Sequence, residues 1–197
     1  MTLRTILEKS HLCYMRKLFS SLWVLGLATL IIFPLLAWPV WYFADISVEE
    51  IFVVEVTRLY SVPNFLSAGI FFGLIVIWLT ELDFFEQSLA KYRNLLANFK
   101  LTRIQVIFLS ICAGVGEEIF FRAAVQPLMG IVITAIVFVA IHGYYSRKDW
   151  KVNIFAVLLT GYIIFLGWGA REFSIYHAIA GHFSYDLVLL AYYRKTS

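Results

Sequence analysis

The chain has 197 residues, of which 61% are hydrophobic and only 15% are charged, and its formal net charge is +3. Soluble domains have about 45–50% apolar and about 25% charged residues, so this composition, with a mean hydropathy of +0.82, excludes an ordinary soluble protein and predicts a polytopic membrane protein. The small net charge does not favour nucleic-acid binding. Two cysteines, Cys13 and Cys112, fall in distant parts of the chain and do not predict a disulfide framework.

Six apolar stretches are each close to the ~20 residues that a helix needs to cross a bilayer. The predicted spans are 18–43, 65–80, 102–121, 128–145, 152–168 and 173–193. Pro34 and Pro39 are expected to interrupt the first span, which is longer than the apolar region of a secretory signal and is therefore predicted to be retained. The predicted fold class is all-α, a single transmembrane helical bundle over residues 1–197.

The loop charges predict an orientation for these spans. The N-terminal tail, the segments 81–103 and 147–151 and the C-terminus are basic, whereas the loop 44–64 is mainly acidic. Because short cytoplasmic loops carry an excess of Lys and Arg, this alternation predicts that both termini are cytoplasmic.

Two loop segments have a pattern of their own. Apolar residues recur at steps of three and four over 81–100, which predicts one face of an amphipathic helix. They are Leu82, Phe85, Leu89, Tyr92, Leu96 and Phe99. This helix would lie at the cytoplasmic interface or pack on the bundle as an extension. The loop 45–61 is partly amphipathic and is expected to cover the outer side.

Three charged residues end the third predicted span: Glu117, Glu118 and Arg122. A charge at mid-bilayer costs at least a few kcal/mol, so such residues are functional candidates. Glu118 and Arg122 are four residues apart and favour a structural ion pair. Glu117 points about 100° away and lacks a local partner, so it is a candidate general base or acid, or else a helix-packing hydrogen-bond group. Gly114 and Gly116 are expected to allow close helix approach.

Two histidines on other spans reach a depth similar to that of Glu117. If 126–130 forms the outer turn, Glu117 lies about 15 Å from it and His142 about 18 Å, at about 1.5 Å per helical residue. His182 lies about 14 Å from the start of the sixth span. Nothing in the composition requires this agreement, which is typical of a site in the core of a helical bundle.

Further polar and aromatic residues are spaced so as to share a helix face with these histidines. Phe138 lies four residues before His142, and Asp186 lies four residues after His182. Asp186 can orient His182, or it can donate a hydrogen bond to a reacting oxygen when it is protonated. His177 is predicted to be a satisfied polar residue nearer the outer surface.

A glutamate and two histidines can do two kinds of chemical work. They can position and deprotonate a water that attacks an amide carbonyl, with the second histidine and an acid stabilising the oxyanion. They can also bind a divalent metal such as zinc, with Glu117, His142 and His182 as ligands, and the metal would activate the water. The chain lacks an HExxH signature, so we favour the metal-free form, which requires no cofactor.

These motifs resemble the three signatures of the CPBP intramembrane proteases, also called the Abi family, which includes the Ras-converting CAAX endopeptidases. The motifs are Glu117-Glu118-x-x-x-Arg122, Phe138-x-x-x-His142 and His182-x-x-x-Asp186. They stand in the family's order within about 104–190, the predicted catalytic core. Each motif alone fixes two or three positions, whereas all three in order on separate spans are specific.

The resemblance implies a role for each matched residue. Glu117 would activate the water with the assistance of His142, and His182 would form the oxyanion site with Asp186. The remaining matched positions would support the site: Glu118, Arg122 and Phe138. Many family members have Asn at the last position, and Asp186 donates a hydrogen bond only when it is protonated.

The resemblance also implies an activity, that of a glutamic-type intramembrane endopeptidase. Its partners would be the lipid bilayer and a membrane-associated peptide or protein substrate, and no nucleic acid is expected. The chain is short and lacks the extended termini of eukaryotic family members, so the expected location is a bacterial cytoplasmic membrane. In a bacterium, C-terminal sorting segments, peptide pheromones or bacteriocin-related peptides are the expected substrates, rather than prenylated CAAX proteins.

Three alternatives belong to other classes of protein. A non-catalytic member of the same fold, acting as an immunity or scaffold protein, would not need the complete glutamate and histidine set. An ion-coupled transporter would use Glu117, His142 and His182 as its ion path, but the sequence shows no inverted repeat. A cysteine transpeptidase of the exosortase type would use Cys112 with Arg122 and His142, but Cys112 has no clear activating base and is expected to be a small buried residue.

Overall fold

α-Helices make up the regular structure in this computed structural model, which describes residues 3–53 and 55–195, with side chains over 21–53 and 55–194. Within those residues the α-helices are α1 (Leu3–Phe43), α2 (Val48–Phe52), α3 (Val62–Thr80), α4 (Glu86–Asn98), α5 (Arg103–Phe120), α6 (Gln126–Ile141), α7 (Trp150–Glu172) and α8 (Ile175–Lys195). A 3-10 turn over Val56–Ser61 precedes α3, and a π-helical turn over Phe121–Val125 joins α5 to α6. The prediction of an all-α bundle is confirmed.

Four segments of the described chain are long and apolar enough to cross a membrane. They are Ser21–Phe43, Val56–Thr80, Arg103–Ile141 and Trp150–Glu172. The third is 39 residues long, about twice what one crossing requires. The sequence assigns two spans to this segment, and the predicted total of six spans remains a prediction.

The chain reverses direction within the third segment, at Gly130. This glycine has φ 74°, a left-handed conformation that a residue without a Cβ adopts readily. The rings of Phe121 and Phe138 lie 4.8 Å apart across the turn, and Glu117 lies 3.5 Å from His142. Both pairs are centred between positions 129 and 130, so the two arms lie antiparallel. The chain thus turns back within the predicted outer turn.

Two helices differ from the sequence prediction. The helix α1 continues through Pro34 and Pro39, where interruptions were expected. Neighbouring helices and local adjustments can satisfy the carbonyl groups that a proline leaves free in a membrane helix. The helix α6 ends at Ile141 rather than near Tyr145, because Gly143 has φ 76° and cannot continue it.

The helix α4 packs its predicted apolar face on the bundle. All six residues of that face are buried or half-buried, with Phe85 5% and Leu89 1% exposed. Of the two placements that the sequence left open, direct packing on the bundle is therefore observed.

Small residues let the helices around α5 approach closely. A Cβ added to Gly114 would lie 3.1 Å from a main-chain nitrogen of α8, and one added to Gly116 would lie 2.5 Å from a carbonyl oxygen of α1. A Cβ at Gly69 of α3 would meet the carbonyl oxygen of Gly181 in α8. Helix interfaces in membranes use small residues for this purpose. The expectation for Gly114 and Gly116 is confirmed, and it brings α1 and α8 to either side of Glu117.

His177 forms hydrogen bonds at the end of the bundle that lies away from Glu117 and Glu118. It is fully buried, and its Nε2 and Nδ1 atoms each lie 2.9 Å from a serine hydroxyl, of Ser61 and Ser174 respectively. These contacts join the 3-10 turn to the start of α8. His177 is thus the satisfied polar residue that the sequence predicted.

Candidate active site

A cavity of about 420 Å³ brings four of the predicted site residues together. Glu117 of α5, His142 at the end of α6, and His182 and Asp186 of α8 all line it. Apolar side chains form most of the remaining wall. The helix α1 contributes Leu25, Gly26 and Thr29 to the wall, and α4 contributes Leu96. A cavity of this size is within the range of small-ligand sites, about 300–1,000 Å³.

The main chain at His142 is fixed by the way α6 ends. His142 is the C-cap residue of the helix. The Gly143 N–H donates to the carbonyl of Ala140 at 3.0 Å, and the Tyr144 N–H donates to that of Val139 at 3.4 Å. This pair of hydrogen bonds, with glycine in the left-handed conformation, is a Schellman motif. The helix end therefore holds the imidazole at the cavity wall.

The imidazole of His142 has a defined proton position. Its Nδ1 lies 2.7 Å from the carbonyl oxygen of Phe138, which can only accept, so Nδ1 carries a proton. The ring also stacks on Phe138, with the centroids 4.5 Å apart. In the neutral imidazole, Nε2 then presents a lone pair to Glu117 Oε2 at 3.5 Å. This carboxylate oxygen is buried and accepts no hydrogen bond from the described residues.

A second network holds His182. Glu118 is fully buried and accepts hydrogen bonds from Arg122 Nε at 2.6 Å and from His182 Nδ1 at 2.8 Å. The Nε2 atom of His182 lies 3.5 Å from Asp186 Oδ2. The sequence paired Glu118 with Arg122 and left Asp186 either to orient His182 or to donate to a reacting oxygen. In the structure, Glu118 contacts both Arg122 and His182, and it lies closer to the His182 ring than Asp186 does.

Gln126 extends this network to α7 and was missed in the sequence. Its Oε1 accepts from Arg122 Nη1 at 3.4 Å, and its Nε2 donates to the carbonyl of Gly167 at 2.9 Å. The absence of a side chain at Gly167 makes room for the Gln126 amide, since a Cβ at this position would lie 2.7 Å from Gln126 Oε1. The signal for Gln126 was its position four residues after Arg122, on the same helix face. Hydrogen bonds thus run from α7 through Arg122 and Glu118 to His182.

Three tyrosines of the cavity wall were also missed: Tyr144, Tyr162 and Tyr185. The Tyr162 hydroxyl donates to the carbonyl of Gly181 at 2.9 Å, directly before His182. A tyrosine in an apolar span is a weak signal, because its ring packs like any aromatic and only its hydroxyl needs a partner.

The sequence left open a metal site with Glu117, His142 and His182 as its ligands. Among the described residues, no three His, Cys, Asp or Glu side chains are grouped so that they could hold a metal ion. Both ring nitrogens of His182 face carboxylates, of Glu118 and Asp186. Cys112 is 1% exposed and does not line the cavity.

The fold and the cavity define a class: an α-helical membrane protein with a glutamate and histidine site in an apolar cavity. A family model described as Rce1-like, type II CAAX prenyl endopeptidase Rce1-like, matches residues 99–188, which contain all three motifs. The chain is similar to that family over these residues, and the predicted resemblance to the CPBP proteases is confirmed. Comparison with curated proteins and with solved structures gives no match.

Proposed function

We propose that the chain is an intramembrane endopeptidase that hydrolyses a peptide bond of a membrane-associated substrate with a water activated by Glu117. The observation that carries this proposal is the 3.5 Å approach of Glu117 Oε2 to His142 Nε2 in the cavity. When the imidazole is neutral with its proton on Nδ1, both of these atoms are acceptors. His182 and Asp186 line the same cavity. The family match supports a peptide hydrolase of the CAAX type.

Two facing acceptors are suited to a water molecule, which has two protons to donate. A water hydrogen-bonded to both Glu117 and His142 would keep an oxygen lone pair free to attack a carbonyl carbon. Glu117 would take the water's proton as the C–O bond forms, and would then give it to the amide nitrogen as the C–N bond breaks. General acid–base catalysis of this kind contributes about 10²–10⁴-fold.

His182 and Asp186 would stabilise the oxyanion of the tetrahedral intermediate. The Glu118 carboxylate accepts from His182 Nδ1, which favours an imidazole whose Nε2 can also carry a proton. That Nε2–H would donate to the oxyanion, and a protonated Asp186 would donate beside it. Donors held in place at a developing charge are a major source of catalysis, because they need no reorganisation during the reaction.

The mostly apolar wall of the cavity favours an apolar peptide segment as the substrate. C-terminal sorting segments and other membrane-anchored peptides fit this chemistry. The proposed location is a bacterial cytoplasmic membrane with both termini on the cytoplasmic side. Cys112 is buried outside the cavity wall, which argues against a cysteine transpeptidase.

The test compares purified wild type with Glu117→Ala, His142→Ala, His182→Ala and Cys112→Ala on a library of membrane peptides with C-terminal segments. Each variant is assayed with and without a chelator. We expect cleavage by wild type and by Cys112→Ala, and strong loss in the other three. Full activity of Glu117→Ala would refute the proposal, and abolition by the chelator would require a metal-dependent form of it.

A further inference from the structure

We propose that Tyr92, on the helix α4 outside the predicted spans, is a positioning residue for His142. Through it, α4 becomes part of the active-site architecture. This inference rests on the proposed function, because it assigns Tyr92 a role in the same reaction. No motif contains Tyr92, and the sequence identified it only as one apolar-face residue of an amphipathic helix.

Tyr92 contacts the turn that directly follows His142. Its hydroxyl donates to the carbonyl oxygen of Gly143 at 2.6 Å. Its ring stacks on Tyr144, with centroids 4.8 Å apart and planes 30° apart. Tyr144 packs in turn on Phe155 of α7, at 5.7 Å between centroids, and lines the cavity. One side chain of α4 therefore makes both a polar and a stacking contact with the two residues after His142.

These contacts of Tyr92 affect the site because the imidazole of His142 is held against its own helix. The bond from Nδ1 to Phe138 and the stacking on Phe138 both lie within α6. The distance from Nε2 to Glu117 therefore follows the position of the end of α6 relative to α5. Tyr92 holds this helix end from a third element. Reacting groups displaced by about 1 Å can lose about 10²-fold in rate.

The helix α4 is anchored well enough to serve as the fixed point. Leu89, one turn before Tyr92, is 1% exposed, and Leu96, one turn after it, lines the cavity. Burial, aided by the Asp149 carboxylate, raises the pKa of the Tyr92 hydroxyl above its usual value. The hydroxyl thus remains a donor to Gly143 throughout the neutral range.

The second histidine has the same kind of support. Tyr162 donates to Gly181, the residue before His182, just as Tyr92 donates to Gly143, the residue after His142. In both places a tyrosine hydroxyl from another helix holds a glycine carbonyl next to a histidine. Tyr162 lines the cavity, whereas Tyr92 does not, so Tyr92 is the better test of positioning without substrate contact.

The test is Tyr92→Phe, which removes the hydroxyl and keeps the stacking ring. We expect kcat to fall about tenfold with KM within about twofold of wild type, a partial form of the loss that misplacement causes. The matched control is Tyr145→Phe, which removes the hydroxyl bonded to Thr160 at 3.0 Å in the same loop. It should leave both constants unchanged. A wild-type kcat in Tyr92→Phe, a change confined to KM, or an equal kcat loss in the control would overturn the inference.

A second measurement separates this inference from the proposed function. His142 is 35% exposed at its side chain, so its modification by diethyl pyrocarbonate can be followed by mass spectrometry without any substrate. We expect a several-fold change in that rate in Tyr92→Phe and none in Tyr145→Phe. An unchanged rate in Tyr92→Phe counts against positioning, whatever the activity of the chain. Equal cleavage by wild type and Glu117→Ala would instead refute the proposed function alone.

Discussion

Removing the carboxylate of Glu118 should destabilise the protein strongly and also abolish activity. Glu118 is 0% exposed and accepts hydrogen bonds from Arg122 at 2.6 Å and His182 at 2.8 Å. The Arg122 side chain is itself only 1% exposed. Glu118→Met therefore leaves a buried guanidinium without its counter-charge and frees His182 to rotate.

The expected size of the effect follows from the burial of both partners. Breaking a buried ion pair by removing one member costs about 3–5 kcal/mol, because the other charge remains desolvated and unpaired. A change of 1 kcal/mol shifts the melting temperature of a chain of this size by about 2–4 °C, so a fall of about 6–20 °C is expected. The double variant Glu118→Met/Arg122→Met removes both charges. It should recover most of the lost stability, because apolar replacement of a whole buried pair is often neutral.

Cys112 provides the assay, since it is 1% exposed and becomes reactive only on unfolding. Thermal unfolding in detergent is followed with a thiol-reactive dye in a Cys13→Ser background, which leaves Cys112 as the reporting thiol. Activity is measured in parallel, and the stable double variant should remain inactive because the His182 Nδ1 has lost its hydrogen bond to the Glu118 carboxylate. A melting temperature for Glu118→Met within about 2 °C of the background would refute the reasoning.

Two further predictions concern packing and pH. Gly69→Ala would place a methyl group against the backbone of α8 and should lower the free energy of unfolding by about 1–3 kcal/mol in the same assay. The control is Gly161→Ala, where a Cβ meets nothing within 4 Å, and it should lower the free energy of unfolding far less. Equal losses of stability in the two variants would contradict the close approach of α3 to α8. The Ser88 side chain bonded to the Asp149 carboxylate lowers the pKa of Asp149. The stability from this carboxylate is therefore present above its unfolded-state pKa and is lost as pH falls through its folded-state pKa. When the melting temperature is measured as a function of pH, Asp149→Asn should reduce its fall at acid pH. The same fall at acid pH in wild type and Asp149→Asn would contradict this.

The approach of Glu117 to His142 could be anticipated from the sequence. A helix rises by a fixed distance per residue, so counting from the turn at 126–130 gives a similar depth on both arms. Gly130 adopts the left-handed conformation that such a reversal needs. The main uncertainty lay in the boundaries, because the end of α6 depends on the turn at Gly143.

The partners of Glu118 could be predicted only in part. Its bond to Arg122 follows from their spacing within one helix. Its bond to His182 depends on the rotation of α8 about its own axis, which is set by packing against Gly114 of α5. Sequence periodicity does not define that rotation. The contact from Tyr92 to Gly143 could not be predicted either, because it joins two elements that are far apart in the chain and depends on how they pack.

The most direct test of the central claim is single-turnover cleavage by Glu117→Gln, which keeps the size of the side chain and removes the base. A peptide that wild type cleaves is used, and binding is measured separately for both proteins. The proposed role of Glu117 predicts retained binding with cleavage reduced at least about 10²-fold, the lower range of a general base. Cleavage by Glu117→Gln at the wild-type rate would contradict it.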